Sequence, residues 1–277
     1  MNDRDRPALR IAAAQFDARP GDVPANVEAH VRLIARAGQQ GVKVLVFPEL
    51  SVTGYVGTLL TEAPESCVVD PDGPAIDPIR AACRDNGLVA VLGGPLATES
   101  GLGLGAIVVD RRGEVCVTYQ KRHIDRDERQ WFVAGSVDRM IEVDGWRLGL
   151  GICYDSSFPE QARALALDGA DAYLVSGAFP LGESDHRRTV YFPARALENT
   201  LYVVFANYVG AHDGLNYCGR SAVYGPDGRV LADAGPDQEG LAIADLDKDT
   251  LTQIRGKLEM LGDRYPEFAA VQAHAAG

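Results

Sequence analysis

The chain has 277 residues, 46% hydrophobic and 24% charged, with a formal net charge of −12 and five cysteines. That composition belongs to a soluble globular protein with a sizeable core. The acidic balance excludes a nucleic-acid surface, which needs clustered basic side chains. The first ten residues carry no apolar signal core, and no run of about 18 uncharged apolar residues follows, so a cytoplasmic protein without a membrane span is expected.

A buried strand is predicted at 9–17, "LRIAAAQFD", then an amphipathic helix at 26–41 ending on glycine. A second buried strand, 42–50, is stopped by Pro48. A helix near 75–86 leads to strands near 88–93, 105–110 and 114–120. "DRMIEVDG" and "WRLGLGICYD" read as an antiparallel pair turning at Asp144 and Gly145. Helix "PEQARALALDG", strand "ADAYLVSGA", helix 185–199 and strand "LYVVFANYV" continue the alternation. Another pair turns at 226–229, and a helix with an irregular tail closes the chain. No linker or low-complexity block intervenes. One α/β domain is therefore expected over 1–277, with a core of about 8–246 and a C-terminal helix and tail at 247–277. "ARAGQQG" before "VKVLVF" has an echo in "ALALDG" before "ADAYLVSG". The echo hints at two αβ halves packed sheet to sheet with helices outside.

Chemistry-bearing residues stand out where apolar runs end. The five cysteines form no C-x-x-C pair and have no interleaved histidine spacing, so neither a disulfide framework nor a zinc site is indicated. Free cysteine is usually core filler, the reading for Cys67, Cys83, Cys116 and Cys218. Cys153 instead ends a strand just before Pro159 opens a helix. Such an elbow projects a side chain into the crevice at a strand's carboxyl end, and a nearby helix N-terminus favours a thiolate. Glu49 closes the run "VLVFPEL", where a desolvated carboxylate with a raised pKa would serve as general base. Lys121 is one of only four lysines and follows the β-rich "VCVTYQ", which suits a compact ammonium aimed at developing negative charge. Glu128 precedes an aromatic pair and reads either as a loop charge or as a second acid against Lys121. A solvated surface charge is the plainer reading of Glu49, Lys121 and Glu128 taken singly. Of five histidines only His123 sits beside these residues, and no G-x-S-x-G elbow supports a serine mechanism.

Taken together, "FPEL", "YQKRHI", "ERQWFVAG" and "GICYDSSFPE" resemble the nitrilase, or carbon–nitrogen hydrolase, superfamily. "AAAQFD", the stretches 193–210 and 218–235, and "GDRYPEF" extend the resemblance over nearly the whole chain in order. It implies a four-layer αββα sandwich, no metal or organic cofactor, and a triad of Cys153 as nucleophile, Glu49 as base and Lys121. Lys121 would stabilise the oxyanion together with the backbone N–H of Tyr154, and Glu128 would support the triad. Tyr55, Phe179 and Tyr191 match pocket-lining regions. Arg187 stands where many relatives have an aromatic residue; it or Arg188 would be either a solvated helix charge or the partner of a substrate carboxylate. The resemblance also implies a homodimer or higher homo-oligomer, paired through the helices after the nucleophile.

The "CYD" after the strand is similar to amidase-like members, whereas nitrilases usually carry Trp-Glu there. Hydrolysis of a small linear amide is the expectation, ahead of an N-carbamoyl substrate and a nitrile. Two other classes fit the sequence less well. The glycines of "GLGLGAIV" lack the G-x-G-x-x-G order of a dinucleotide loop, and a catalytically silent scaffold is disfavoured because every matched position is chemically competent.

Overall fold

A computed structural model of the protein describes residues 8–265. The first half runs β1 (Leu9–Phe16), α1 (Val23–Gln39), β2 (Val44–Val46), α2 (Gly57–Glu62), α3 (Asp77–Asn86), β3 (Val89–Thr98), β4 (Gly101–Val109) and β5 (Val115–Gln120). The second runs β6 (Met140–Val143), β7 (Trp146–Ile152), α4 (Pro159–Leu167), β8 (Ala172–Ser176), α5 (Glu183–Asn199) and β9 (Tyr202–Tyr208). A small pair, β10 (Ala211–His212) and β11 (Leu215–Asn216), precedes β12 (Ala222–Tyr224), β13 (Val230–Asp233), β14 (Gly240–Leu246) and α6 (Lys248–Lys257).

Side-chain alternation explains the layering. Successive strand residues point to opposite faces. In β1, Leu9, Ile11 and Ala13 enter a layer with Leu148, Leu150, Ile152 and Val204 from β7 and β9. Ala12, Ala14 and Phe16 face the other way, onto Leu33 and Ile34 of α1 and Ile79 of α3. A third layer packs Tyr173, Val175, Val203 and Phe205 against Leu165 of α4 and Phe192 and Ala196 of α5. Helices therefore cover both outer faces of two sheets that share one apolar interior, the expected αββα sandwich.

One sheet is ordered β5-β4-β3-β2-β1, with β14 antiparallel on the far side of β1. The other is β6-β7-β8-β9, with β12 antiparallel beside β9 and β13 beyond it. They join where β1 meets β9 at Gln15↔Asn207 and Phe16↔Tyr208. The carboxyl ends of β2, β7 and β8 converge near this seam.

Several boundaries differ from the sequence expectation. Helix α1 starts a turn earlier than 26, because the Asp22 side chain accepts from Ala25 N and a proline sits in the first turn. Strand β14 was not expected. It contains one β-branched residue, Ile243, and forms by seven paired positions along β1. The short α2 was missed too, since it buries only Leu60. "GLGLG" lies within β4, and a Cβ on Gly105 would come 2.2 Å from Leu96 Cδ1, so that glycine serves strand packing rather than a phosphate loop. "GDRYPEF" and His274 extend beyond the described residues.

Candidate active site

Four chain turns deliver the expected residues to one place. Phe47 still bonds to Val91 O at 2.9 Å, but Pro48 has no N–H to continue the ladder, and the chain swings through Leu50 at φ 55°. Gly93 lets β3 approach this turn, since a Cβ there would lie 2.3 Å from Leu50 N. The opposite sheet then grips Glu49: its N–H donates to Gly177 O at 3.2 Å, and the Tyr208 hydroxyl donates to its carbonyl at 2.5 Å.

Lys121 leaves β5 with its N–H on Leu104 O and its carbonyl accepting from Gly135 N, both at 2.8 Å. Glu128 ends a 3-10 turn capped by Asp125, whose backbone N–H donates to Glu128 Oε2 at 3.0 Å. Cys153 follows β7 at φ 43°, a left-handed conformation that costs about 1–3 kcal/mol in a non-glycine residue, and opens a 3-10 turn ahead of α4.

Two residues that the sequence did not single out hold this elbow. Asp155 is fully buried and accepts four hydrogen bonds, from Ile152 N (3.0 Å), Tyr119 OH (2.7 Å), His123 N and His123 Nδ1 (both 2.9 Å). It thereby ties the nucleophile turn to the segment carrying Lys121. Arg195 of α5 donates to Ser156 O and Ser157 O, each at 3.0 Å. His123 is engaged by Asp155 and stacks on Phe158 with ring centroids 3.9 Å apart, so it serves the elbow and not the thiol.

At the centre, Lys121 Nζ donates to Glu49 Oε1 and Glu128 Oε2, each at 2.7 Å. Tyr55 OH donates to Glu128 Oε1 at 3.1 Å. Burial raises the Glu49 carboxyl, Lys121 pulls it back, Glu128 adds to the rise, and it stands at about 7. Burial works against the Lys121 ammonium, yet Glu49, Cys153 and Glu128 together lift its pKa above the ordinary value. The Cys153 thiol is pushed well above its usual range, by burial first and Glu49 next, with Lys121 only partly opposing. This corrects the expectation of a thiolate favoured by the helix N-terminus: the resting sulfur is protonated and needs a base. Glu49 Oε2 is buried without a conventional hydrogen-bond partner; Lys121 is the main group that stabilises the Glu49 charge, and the weakly donating Cys153 thiol adds a smaller contribution.

Cys153, Glu49 and Glu128 face a cleft of about 260 Å³ walled by Tyr55, Tyr154, Phe179, Tyr191 and Tyr217. Arg187 is the one cation in this wall among the described residues, and its Nη2 donates to Ser184 Oγ at 2.8 Å. Arg188 is not in the cleft. It pairs with Asp185 at 2.6 Å, which removes it from the substrate-binding set. Tyr217 went unnoticed in the sequence, where nothing distinguishes it from other tyrosines. A larger cleft, about 610 Å³, lies by Asp17, Arg32, His212 and Glu239 and contains none of these groups. Among the described residues no cluster of three or more His, Cys, Asp or Glu side chains is arranged to hold a metal, and no helix is long and apolar enough to cross a membrane.

The arrangement defines a class: a half-buried thiol with a carboxylate base and an ammonium bound to that base suits acyl transfer through a covalent intermediate. Residues 10–256 match the carbon–nitrogen hydrolase family model, and the chain belongs to that family. It is 34% identical over 260 residues to the (R)-stereoselective amidase of a Pseudomonas species, covering 92% of this chain and 91% of that one. It is 30% identical over 257 residues to the 2-oxoglutaramate amidase of Bacillus subtilis, covering 91% and 96%. A solved mutant of the amidase from Nesterenkonia sp. AN1, with the acetamide moiety of fluoroacetamide covalently added at its active-site cysteine, superposes with a TM-score of 0.81 at 32% identity, over 94% and 95% of the two chains.

Proposed function

We propose that the protein hydrolyses the carbon–nitrogen bond of a small linear amide through a thioester on Cys153. The observation that carries this reading is the buried Lys121 ammonium, bound at 2.7 Å to both Glu49 and Glu128, two carboxylates that line the same cleft as Cys153. Glu49 takes the thiol proton as sulfur attacks the amide carbon. In this reading the oxyanion develops against Lys121 and the Tyr154 N–H, donors that act where the charge appears. The tetrahedral intermediate collapses, Glu49 hands its proton to the nitrogen, and ammonia or an amine leaves. Water, deprotonated by the same carboxylate, hydrolyses the thioester and returns the proton to sulfur. A base with a pKa of about 7 is suited to both halves, since it can take and return a proton near neutral pH. Glu128 orients Lys121 and Tyr55.

The cleft, at about 260 Å³, sits below the roughly 300–1,000 Å³ of sites for drug-sized ligands, so the acyl group is small. Tyr154, Phe179 and Tyr191 line its path, and Arg187, the cation in the cleft wall, would pair with a substrate carboxylate. An N-carbamoyl amino acid offers the same carboxylate and is the second reading. The test is ammonia release from amides with and without a distal carboxylate, N-carbamoyl compounds and nitriles. Amides should lead, and Arg187→Ala should raise KM for the carboxylated ones alone. Turnover of carbamoyl compounds or nitriles with none of any amide would overturn the reading.

The five cysteines are all free thiols, which fits a reducing cytoplasm. Exposed Leu167 on α4 and Val190 and Leu197 on α5 support a homodimer paired through these helices.

A further inference from the structure

Two buried side-chain oxygens on residues that line the cleft have no conventional hydrogen-bond partner: Glu49 Oε2, on the carboxylate that meets the Cys153 thiol, and the Tyr217 hydroxyl. Leaving a buried hydroxyl unmatched is costly, and this one is held firmly. Tyr217 is 4% exposed. Its backbone N–H donates to Gly210 O at 2.9 Å, it bridges to Pro180, and Leu181 N beside that bridge bonds Asn216 O at 2.8 Å. Its ring packs on Tyr208 and His212, with centroids 5.2 and 5.1 Å away. Tyr208 in turn bonds the Glu49 carbonyl, so the two unmatched atoms are set by one packed unit. The half-buried Tyr55 and the buried Tyr208, two other phenols near the triad, are already committed, to Glu128 and to the Glu49 carbonyl.

We propose that the Tyr217 hydroxyl is the second anchor, with Glu49 Oε2, for the hydrolytic water that attacks the Cys153 thioester. The inference rests on the thioester reading above. One water hydrogen points to Glu49 Oε2, the phenol donates to one oxygen lone pair, and the other lone pair is left facing the thioester carbon. The water oxygen bonds to that carbon as its proton passes to Glu49. Collapse breaks the C–S bond, the proton moves from Glu49 to sulfur, and the free acid leaves. Burial first, then the neighbouring charges of Glu49 and Cys153, push the Tyr217 pKa above its ordinary value, so the phenol keeps its proton and acts as a fixed donor.

The experiment is a single-turnover comparison of wild type and Tyr217→Phe, which removes the hydroxyl and keeps the packed ring. Excess enzyme is mixed with p-nitrophenyl acetate, whose leaving group departs without needing a proton, and acetyl-Cys153 is followed by rapid-quench intact-mass measurement. Acetyl-enzyme should form within about twofold of the wild-type rate and decay about tenfold more slowly, the loss of one positioning hydrogen bond. Hydroxylamine, a stronger nucleophile than water, should restore fast decay. Unchanged decay, or formation and decay slowed by the same factor, would overturn the role. A wild type that forms no acetyl-enzyme would remove the thioester reading and this inference with it.

Discussion

Replacing Lys121 with methionine keeps the side-chain length and deletes the charge between two carboxylates. Glu49 Oε1 and Glu128 Oε2 each lie 2.7 Å from Nζ, so they are separated by at most twice that distance. At about 5 Å and an effective dielectric of about 20, two like charges repel by roughly 3 kcal/mol. Removing one partner from a buried ion pair typically costs about 3–5 kcal/mol, and at roughly 2–4 °C per kcal/mol the melting temperature should fall by about 6–20 °C at pH 8. With the cation gone, the Glu49 carboxyl, already raised, loses the group that pulls it down and titrates further above its unfolded value. Its protonated form supports the fold fully at low pH, and that support is lost as pH rises. The deficit should therefore shrink at pH 5. Loss of the oxyanion donor should independently lower kcat by about 10²–10³. Lys121→Arg should also fail, because the site is fully buried and a planar guanidinium cannot take the place of a compact ammonium. Thermal unfolding at both pH values and ammonia release check this. Either variant working within a few-fold of wild type would refute the oxyanion role, and a deficit equal at both pH values would refute the electrostatic account.

Glu49 must be ionised to accept the thiol proton, so kcat/KM for an amide should decline as pH drops below about 7, with an apparent pKa that belongs to the coupled cluster; a flat profile from about pH 5 to 8 would contradict this. Asp155→Asn turns part of a four-fold acceptor into a donor facing donors, so it should lower kcat about tenfold or more and reduce thermal stability with little change in KM. Exhaustive chelation should leave ammonia release unchanged, whereas loss restored by one particular metal would overturn the metal-free mechanism. Sedimentation at micromolar concentration should give a multiple of the protomer mass, and a monomer would contradict the helix-paired assembly.

The strands β1, β7 and β9 and the helix α1 were readable because their apolar patterns are strong and local, whereas the four layers rested on a weak echo between two αβ units and on the family resemblance. Glu49 and Lys121 were readable because each interrupts an apolar or β-rich run with a charge. Asp155 and Tyr217 were not, since what matters about them is contact with residues far along the chain: Tyr119 lies 36 positions from Asp155, and the Tyr208–Tyr217 pair reaches back to Glu49 across 159 positions. Arg187 and Arg188 could not be separated in sequence. One helical step turns the chain about 100°, and that step sends Arg187 to the cleft and Arg188 to Asp185. The thiolate expectation failed because burial and a neighbouring carboxylate outweigh a short turn's dipole.

The most direct test of the account is acid quench of the enzyme during turnover of a small amide that it hydrolyses, followed by intact-mass measurement and peptide mapping, with Cys153→Ala in parallel. The account predicts one acyl group per protomer on the peptide containing Cys153, none on the other four cysteines, and no ammonia release by Cys153→Ala despite a near-wild-type melting temperature. Turnover by Cys153→Ala at the wild-type rate, or an acyl group on any other residue, would contradict it.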